Sequence, residues 1–308
     1  MPKSRFIKFF RHFSWHTLKK TIVRTTQRRL LGLASEIAFN AMLSLFPAIL
    51  ALLTAIGLFE KSLQDTFRQL ANQISQVAPE AALTLIREFA TKEITDPKNG
   101  GLFSLSFVIA IWTASGAIST AMTALDQIHQ IPPKKMRPFW KAKLVSLGLT
   151  IGTILLFVLA SFLVFMSDLL LVMVVNGNSS LEFLLHIWQL LRWPLALGIV
   201  ASAFSFVYRY GPSIWNPGTP MMPGAIVAAV FWAILSALFR AYVANFGNYN
   251  KVYGAVGAVI VLMLWLWMSA AVLLVGDQLN VTVGEQMRSK ADEDLLENTH
   301  PRVNQSMK

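Results

Sequence analysis

Between Pro223 and Gly284 stand two long apolar runs, PGAIVAAVFWAILSALFRAYVANF and AVGAVIVLMLWLWMSAAVLLVGDQLNVTVG, joined by a short polar link from Gly247 to Gly254. Each run exceeds the ~20 residues that a helix needs to cross a hydrocarbon core of ~30 Å. A soluble core helix keeps a polar face every three or four residues, and these runs keep almost none. In lipid every backbone polar group must find a partner within its own segment, which a helix provides. The stretch therefore predicts a transmembrane helical hairpin, with Arg240 and Asp277 as its ionisable exceptions.

Similar runs recur along most of the 308 residues, 55% of which are hydrophobic and 14% charged, against about 25% charged in an average soluble domain. The expectation is an all-α polytopic membrane protein. Its six spans fall at about 32–59, 102–125, 144–175, 183–208, 223–245 and 255–284. Residues 1–31 form a basic N-terminal segment, 32–284 the membrane domain, and 285–308 a polar tail expected to be disordered. Residues 60–101, of mixed charge, read as a partly helical lid outside the membrane after the first span. The second span carries the small-residue ladder Ala110, Ala114, Ala117, Ala121 and Ala124, suited to close helix packing in lipid. Gly148, Gly152, Gly254 and Gly257 are expected at packing contacts, and span three could also dimerise through its glycine-bearing face.

Six spans put both termini on one side. That side holds 19 Lys and Arg, and the opposite side holds six. Positive residues favour the cytoplasmic face, so both termini are expected in the cytoplasm. The net charge of +11 does not point to nucleic acid, because nine of the 27 Lys and Arg precede Gly32 with no acid among them. Interleaved with Phe6, Phe9, Phe10, Phe13 and Trp15, they suggest a basic amphipathic segment facing anionic lipid, or a solvated tail that only sets orientation.

Ionisable residues inside spans are costly and mark pathways or pairs by default. Glu36 and Asn40 share a face of span one. Depth matches Arg240 with Asp168 near the outer side, and Asp277 with Glu36 or Arg209 near the inner side. Arg192 lies deepest without an evident acidic partner. Its guanidinium suits an anionic head group, or carbonyls released by a nearby proline. Pro47 and Pro194 are expected to break or bend their helices. Trp215, Tyr249 and Tyr253 read as interfacial anchors rather than substrate contacts.

Three stretches carry a resemblance. AFNAMLSLFPAIL (38–50), WTASGAISTAMTALDQIH (112–129) and residues 223–280 are similar to the motifs of the YihY/virulence factor BrkB family. The resemblance implies a bacterial inner-membrane protein with six spans. It also implies a role in envelope integrity or in export of lipid or other amphiphiles, and the family's former ribonuclease label is an error. Where that family has Gly-Ala-Glu-Leu-Asn, this chain has Gly276-Asp277-Gln278-Leu279-Asn280, so the acid has moved one position, ~100° round the helix. Asp126 stands where the family often has Asn.

No His-x-His or His-Glu-x-x-His spacing, phosphate-binding loop or cysteine occurs in the sequence, so no metal, cofactor or nuclease chemistry is expected. The reading is a transporter-like membrane protein handling a lipid or other amphiphile; the alternative is a non-transporting scaffold for envelope machinery.

Overall fold

The computed structural model describes Phe9 and residues 14–58, 100–175, 182–215, 219–245 and 247–299. Seven α-helices cover nearly all of them: α1 (Trp15–Gln27), α2 (Leu30–Leu58), α3 (Gly100–Ile128), α4 (Phe139–Val175), α5 (Glu182–Tyr210), α6 (Met222–Asn245) and α7 (Gly247–Thr299). A 3-10 turn, Pro133–Lys135, separates α3 from α4. Among the described residues there is no strand, and the all-α expectation holds.

Among the described residues, five stretches are long and apolar enough to cross a membrane: Leu30–Ile49, Phe107–Ile128, Phe139–Ala160, Met222–Ala244 and Val256–Ser289. The fourth expected span corresponds to α5, whose described part ends in Tyr208-Arg209-Tyr210 and is less apolar than the other five. Only 17% to 33% of each best stretch is buried within the protein. Apolar exposure on that scale suits a lipid solvent rather than water.

Each helix from α2 to α7 packs on the next, and α7 returns to α2, closing a six-helix ring. The most extensive contact joins α2 to α3. Ala110, Ala117, Ala121 and Ala124 of the ladder are buried, and small side chains let the two backbones approach. Asn40 crosses this interface, its Nδ2 donating to Thr120 Oγ1 at 3.1 Å. The main apolar core lies at one end of the ring. Leu30, Ala34 and Ile37 meet Ala117, Ala121, Leu125 and Ile128 there, together with Tyr208, Ala225, Ala270 and Leu274.

Helix α1 runs antiparallel along the same end of α7. Thr17 Oγ1 donates to Gln286 Oε1 at 2.8 Å, Lys20 and Arg24 lie 3.9 and 2.7 Å from Glu285 Oε2, and Arg28 reaches Gln278 at 2.8 Å. Ser14 caps the helix, accepting from Thr17 N at 3.3 Å. The face it buries is a threonine stripe, Thr17, Thr21 and Thr25. The hydroxyls of Thr21 and Thr25 donate to carbonyls one turn back at 2.9 Å, which satisfies them without water. Thus part of the segment read as a lipid-facing helix or solvated tail is docked on protein. Its exposed residues include Trp15, Lys19, Ile22, Val23 and Arg29.

Three boundaries differ from expectation. The Gly247–Gly254 link is the start of α7, which follows the end of α6 at Asn245 almost at once. The tail expected to be disordered from Glu285 continues α7 to Thr299, with Glu285 and Gln286 fixed by contacts to α1 that sequence spacing does not reveal. Helices α2 and α5 pass through Pro47 and Pro194 without ending. A proline forfeits one backbone hydrogen bond, and the helix resumes when its flanks are held by neighbours. Of the packing glycines, Gly152 fits, since a Cβ there would lie 2.6 Å from Phe206 Cε1. Gly148 faces open space, with nothing within 4 Å of such a Cβ. Gly257 is buried. The lid, apart from Gly100 and Gly101, lies outside the described residues, as do the side-chain surroundings of Gly254.

Candidate functional site

The polar side chains with the richest interactions gather at the end of the ring that carries α1. Helix α3 closes there through a C-terminal turn: Ile131 N donates to the Asp126 carbonyl at 3.0 Å, and Gln130 takes a positive φ of 54°. This turn directs Asp126 and His129, one helical turn apart, into the junction with α5 and α7.

His129 Nε2 lies 2.9 Å from Asp277 Oδ2. Their side chains are 1% and 2% exposed. Expected partners of Asp277, Glu36 and Arg209, go elsewhere. Glu36 is exposed, and its carbonyl accepts from Asn40 Nδ2 at 3.0 Å. The Arg209 guanidinium stacks 4.8 Å from the Trp215 ring. That indole in turn lies 6.3 Å from the His129 ring, tilted by 49°. Trp215 therefore bridges Arg209 and His129, where the sequence suggested an interfacial anchor.

The neighbouring position on α7 has a different partner. Gln278 Oε1 accepts from Arg28 Nη1 at 2.8 Å, and the same nitrogen donates to the Ile128 carbonyl at 2.5 Å. Arg28 thereby ties the α1–α2 turn to the end of α3 and to α7. Burial, reinforced by Arg24, pulls its guanidinium below the ordinary arginine value, while Glu285 acts in the opposite sense. Gln278 Nε2 donates to Thr282 Oγ1 at 3.1 Å. With the carboxylate at 277 and the amide at 278, one face of α7 meets His129 and the next meets Arg28.

A second knot holds the two connectors at this end. Asp126 accepts from Ser213 N at 2.6 Å and from Ser213 Oγ at 2.7 Å. Arg137 N donates to Ser213 Oγ at 3.1 Å, and its guanidinium donates to the Tyr210 and Gly211 carbonyls at 3.0 and 2.8 Å. Burial lowers the Arg137 pKa and the Asp126 carboxylate raises it. These bonds satisfy carbonyls at the α5 C-terminus, which otherwise lack helical partners.

Close approach is built into the surrounding helices. A Cβ on Gly224 would collide with the Asn280 side chain, and one on Gly276 would meet the Tyr208 hydroxyl and lie 2.6 Å from Ala228 Cβ. Tyr208 donates its hydroxyl proton to the Leu273 carbonyl at 2.7 Å. Asn280 Nδ2 donates to the Met221 carbonyl at 3.3 Å, while its Oδ1 is buried without a hydrogen-bond partner.

Lys143 engages the WTASG motif from α4. Its Nζ donates to the Trp112 carbonyl at 3.2 Å and to Ser115 Oγ at 2.6 Å, and lies 4.1 Å from the centre of the Trp112 ring. An ammonium has three protons, and these three contacts account for them. The lysine clamps α4 to α3.

Farther from this end, Arg240 is exposed. Asp168 and Arg192 lie on α4 and α5, and their side chains fall outside those described, so the expected Arg240–Asp168 match does too. Between α2 and α7 an open groove of about 390 Å³ is lined by Ser35, Ala38, Ile260, Met263, Leu264 and Trp267. Its polar groups are turned to the backbone: Ser35 Oγ and Trp267 Nε1 both donate to the Leu31 carbonyl, at 3.2 and 3.1 Å. The remaining lining is apolar. Among the described residues, no group of three or more His, Asp or Glu is placed to hold a metal.

Of the polar-end residues, sequence reasoning picked Asp277 and missed His129, Arg28, Arg137 and Ser213. The one available signal was the i, i+3 spacing of Asp126 and His129 in the DQIH stretch, which places both on one helix face.

A family model described as virulence factor BrkB matches residues 21–300. The ribonuclease-like protein YfkH of Bacillus subtilis (strain 168) is 28% identical over 271 residues, spanning 88% of this chain and 96% of its own length. A UPF0761 membrane protein of Vibrio vulnificus (strain YJ016) is 24% identical over 281 residues, with coverage of 90% and 85%. Another, from Photobacterium profundum, is 26% identical over 284 residues, with coverage of 87% and 83%. No solved structure matches.

Proposed function

The chain is a membrane protein of the virulence factor BrkB family, and from that premise we propose that it handles a lipid or other amphiphile in the bacterial cytoplasmic membrane, in a transporter-like manner that maintains the envelope. The observation that carries this reading is the α2–α7 groove. Cargo with a hydrocarbon chain must enter or leave a helix ring sideways, through an opening that offers apolar walls and no unpaired polar group. The groove meets both conditions, and about 390 Å³ falls within the ~300–1,000 Å³ of ordinary ligand pockets.

In this reading both termini face the cytoplasm, because the basic residues lie on that side. The exposed Lys19 and Arg29 then meet anionic head groups. Neither nucleic acid nor a cofactor takes part, and the ribonuclease-like name of one relative does not carry over as an activity. Purified protein in liposomes should bind or redistribute a chain-labelled phospholipid, and Ser35→Trp, at an exposed position on the groove wall, should reduce this at least about tenfold, a change of about 1.4 kcal/mol. Liposomes in which the label neither binds nor moves would overturn the reading.

The scaffold alternative has its own supporting observation. Trp15, Ile22 and Val23 of α1 are 79%, 57% and 45% exposed, an apolar set on a helix docked beyond the start of the first span. Loss of complementation by Trp15→Ala with Ile22→Ser, while Ser35→Trp complements fully, would favour it over transport.

A further inference from the structure

We propose that His129 and Asp277 form a proton-binding site that couples protonation to the docking of α3 against α7. The pair is buried, spans two helices of the ring, and brings together imidazole and carboxylate at 2.9 Å. Imidazole is the side chain whose unperturbed titration falls between pH 5 and 8.

The surrounding ionisable groups are committed to other partners. On α3, Asp126 accepts both bonds from Ser213. From α5, Tyr208 donates to the Leu273 carbonyl and Arg209 lies on Trp215. From the α1–α2 turn, Arg28 is held by the Ile128 carbonyl and Gln278. Arg137 in the α3–α4 connector holds the α5 carbonyls. On α1, Lys20 and Arg24 face Glu285. Among the described residues, His129 is thus the ion partner of Asp277.

The proton count is simple. In one state the Nε2 proton of a neutral imidazole is donated to the carboxylate, and the pair carries one negative charge. A second proton, taken from water onto Nδ1, makes an imidazolium–carboxylate pair with no net charge. The added proton strengthens the hydrogen bond through charge assistance and offsets the cost of a buried anion. Losing it loosens the junction of α3 and α7. Proton binding at this pair does not depend on the amphiphile reading.

The chain has no cysteine, so paired labels introduce no background. Gln127→Cys on α3 and Arg288→Cys on α7, both at exposed positions, can carry spin labels in the full-length protein in nanodiscs. The inter-label distance should change with pH, with the transition lost in His129→Gln and altered in Asp277→Asn. Nitrogen-15 histidine spectra of the unmutated protein should show one buried imidazole that gains a proton in step with the distance change. That measurement needs no variant to fold. A distance and a spectrum both indifferent to pH would overturn the proposal, as would an unchanged transition in both variants. Lipid movement without any such titration would sink the proton site and leave the amphiphile reading standing. A clear titration in protein that neither binds nor moves lipid would do the reverse.

Discussion

The imidazole of His129 and the carboxylate of Asp277, 148 residues apart in the chain, meet at 2.9 Å with almost no solvent contact. The bond fastens the C-terminal turn of α3 to α7, beside the apolar core at the same end of the ring. Removing either member has a different consequence for the other.

His129→Ala leaves a buried carboxylate without its partner. Breaking one side of a buried charge pair costs about 3–5 kcal/mol, so thermal unfolding in detergent should shift strongly downward. Asp277→Asn keeps an acceptor for the imidazole and should cost less. In a double-mutant cycle the two changes should be clearly non-additive; additive losses would mean the contact contributes little.

Arg28→Ala removes the donor shared by the Ile128 carbonyl and Gln278, with an expected loss of about 1–3 kcal/mol in the same unfolding measurement. Gln278→Glu should be tolerated or stabilising, because the new carboxylate faces that guanidinium and gains a charge-assisted bond. A destabilised Gln278→Glu would show that Arg28 does not approach position 278 as described.

Glycines at this end should respond by contact rather than by sequence pattern. Gly224→Ala and Gly276→Ala drive a methyl into Asn280 and into Tyr208 with Ala228, and each should cost about 1–3 kcal/mol. Gly148→Ala meets nothing and should gain about 0.5–1 kcal/mol from its helical setting. Melting temperatures of the three variants, measured side by side, decide the matter.

Docking of α1 should be only weakly sensitive to its charges. The Arg24 and Glu285 side chains are 19% and 32% exposed, so Glu285→Gln should cost no more than about 1 kcal/mol, and less at high salt. Limited trypsin cleavage at Lys19 and Lys20 should accelerate modestly in the variant. The buried threonine stripe and Phe9, packed on Leu279 and Val283, should keep the helix in place. Complete release of α1 by this one change would contradict the described packing.

Sequence alone determined the solvent of this protein and therefore its architecture. Runs such as 255–284 leave almost no polar face, and only a helix satisfies such a backbone in lipid. The alanine ladder likewise announced a close helix contact, since small residues at helical spacing permit close approach whatever the partner; that the partner is α2 came from the fold. The polar end was less legible. Asp277 was visible as a charge, but depth alone matched it with Glu36 or Arg209; the turn at Gln130 and the seating of Arg28 on Gln278 gave it His129 instead. The Asp277-Gln278 order read as a departure from a family pattern. Tertiary structure gave that order a physical sense, because adjacent positions on a helix point ~100° apart and here face different partners. Hydropathy is a property of a segment and survives in one dimension; a hydrogen bond between residues 148 positions apart depends on which helix faces close together, and only the folded ring decides that.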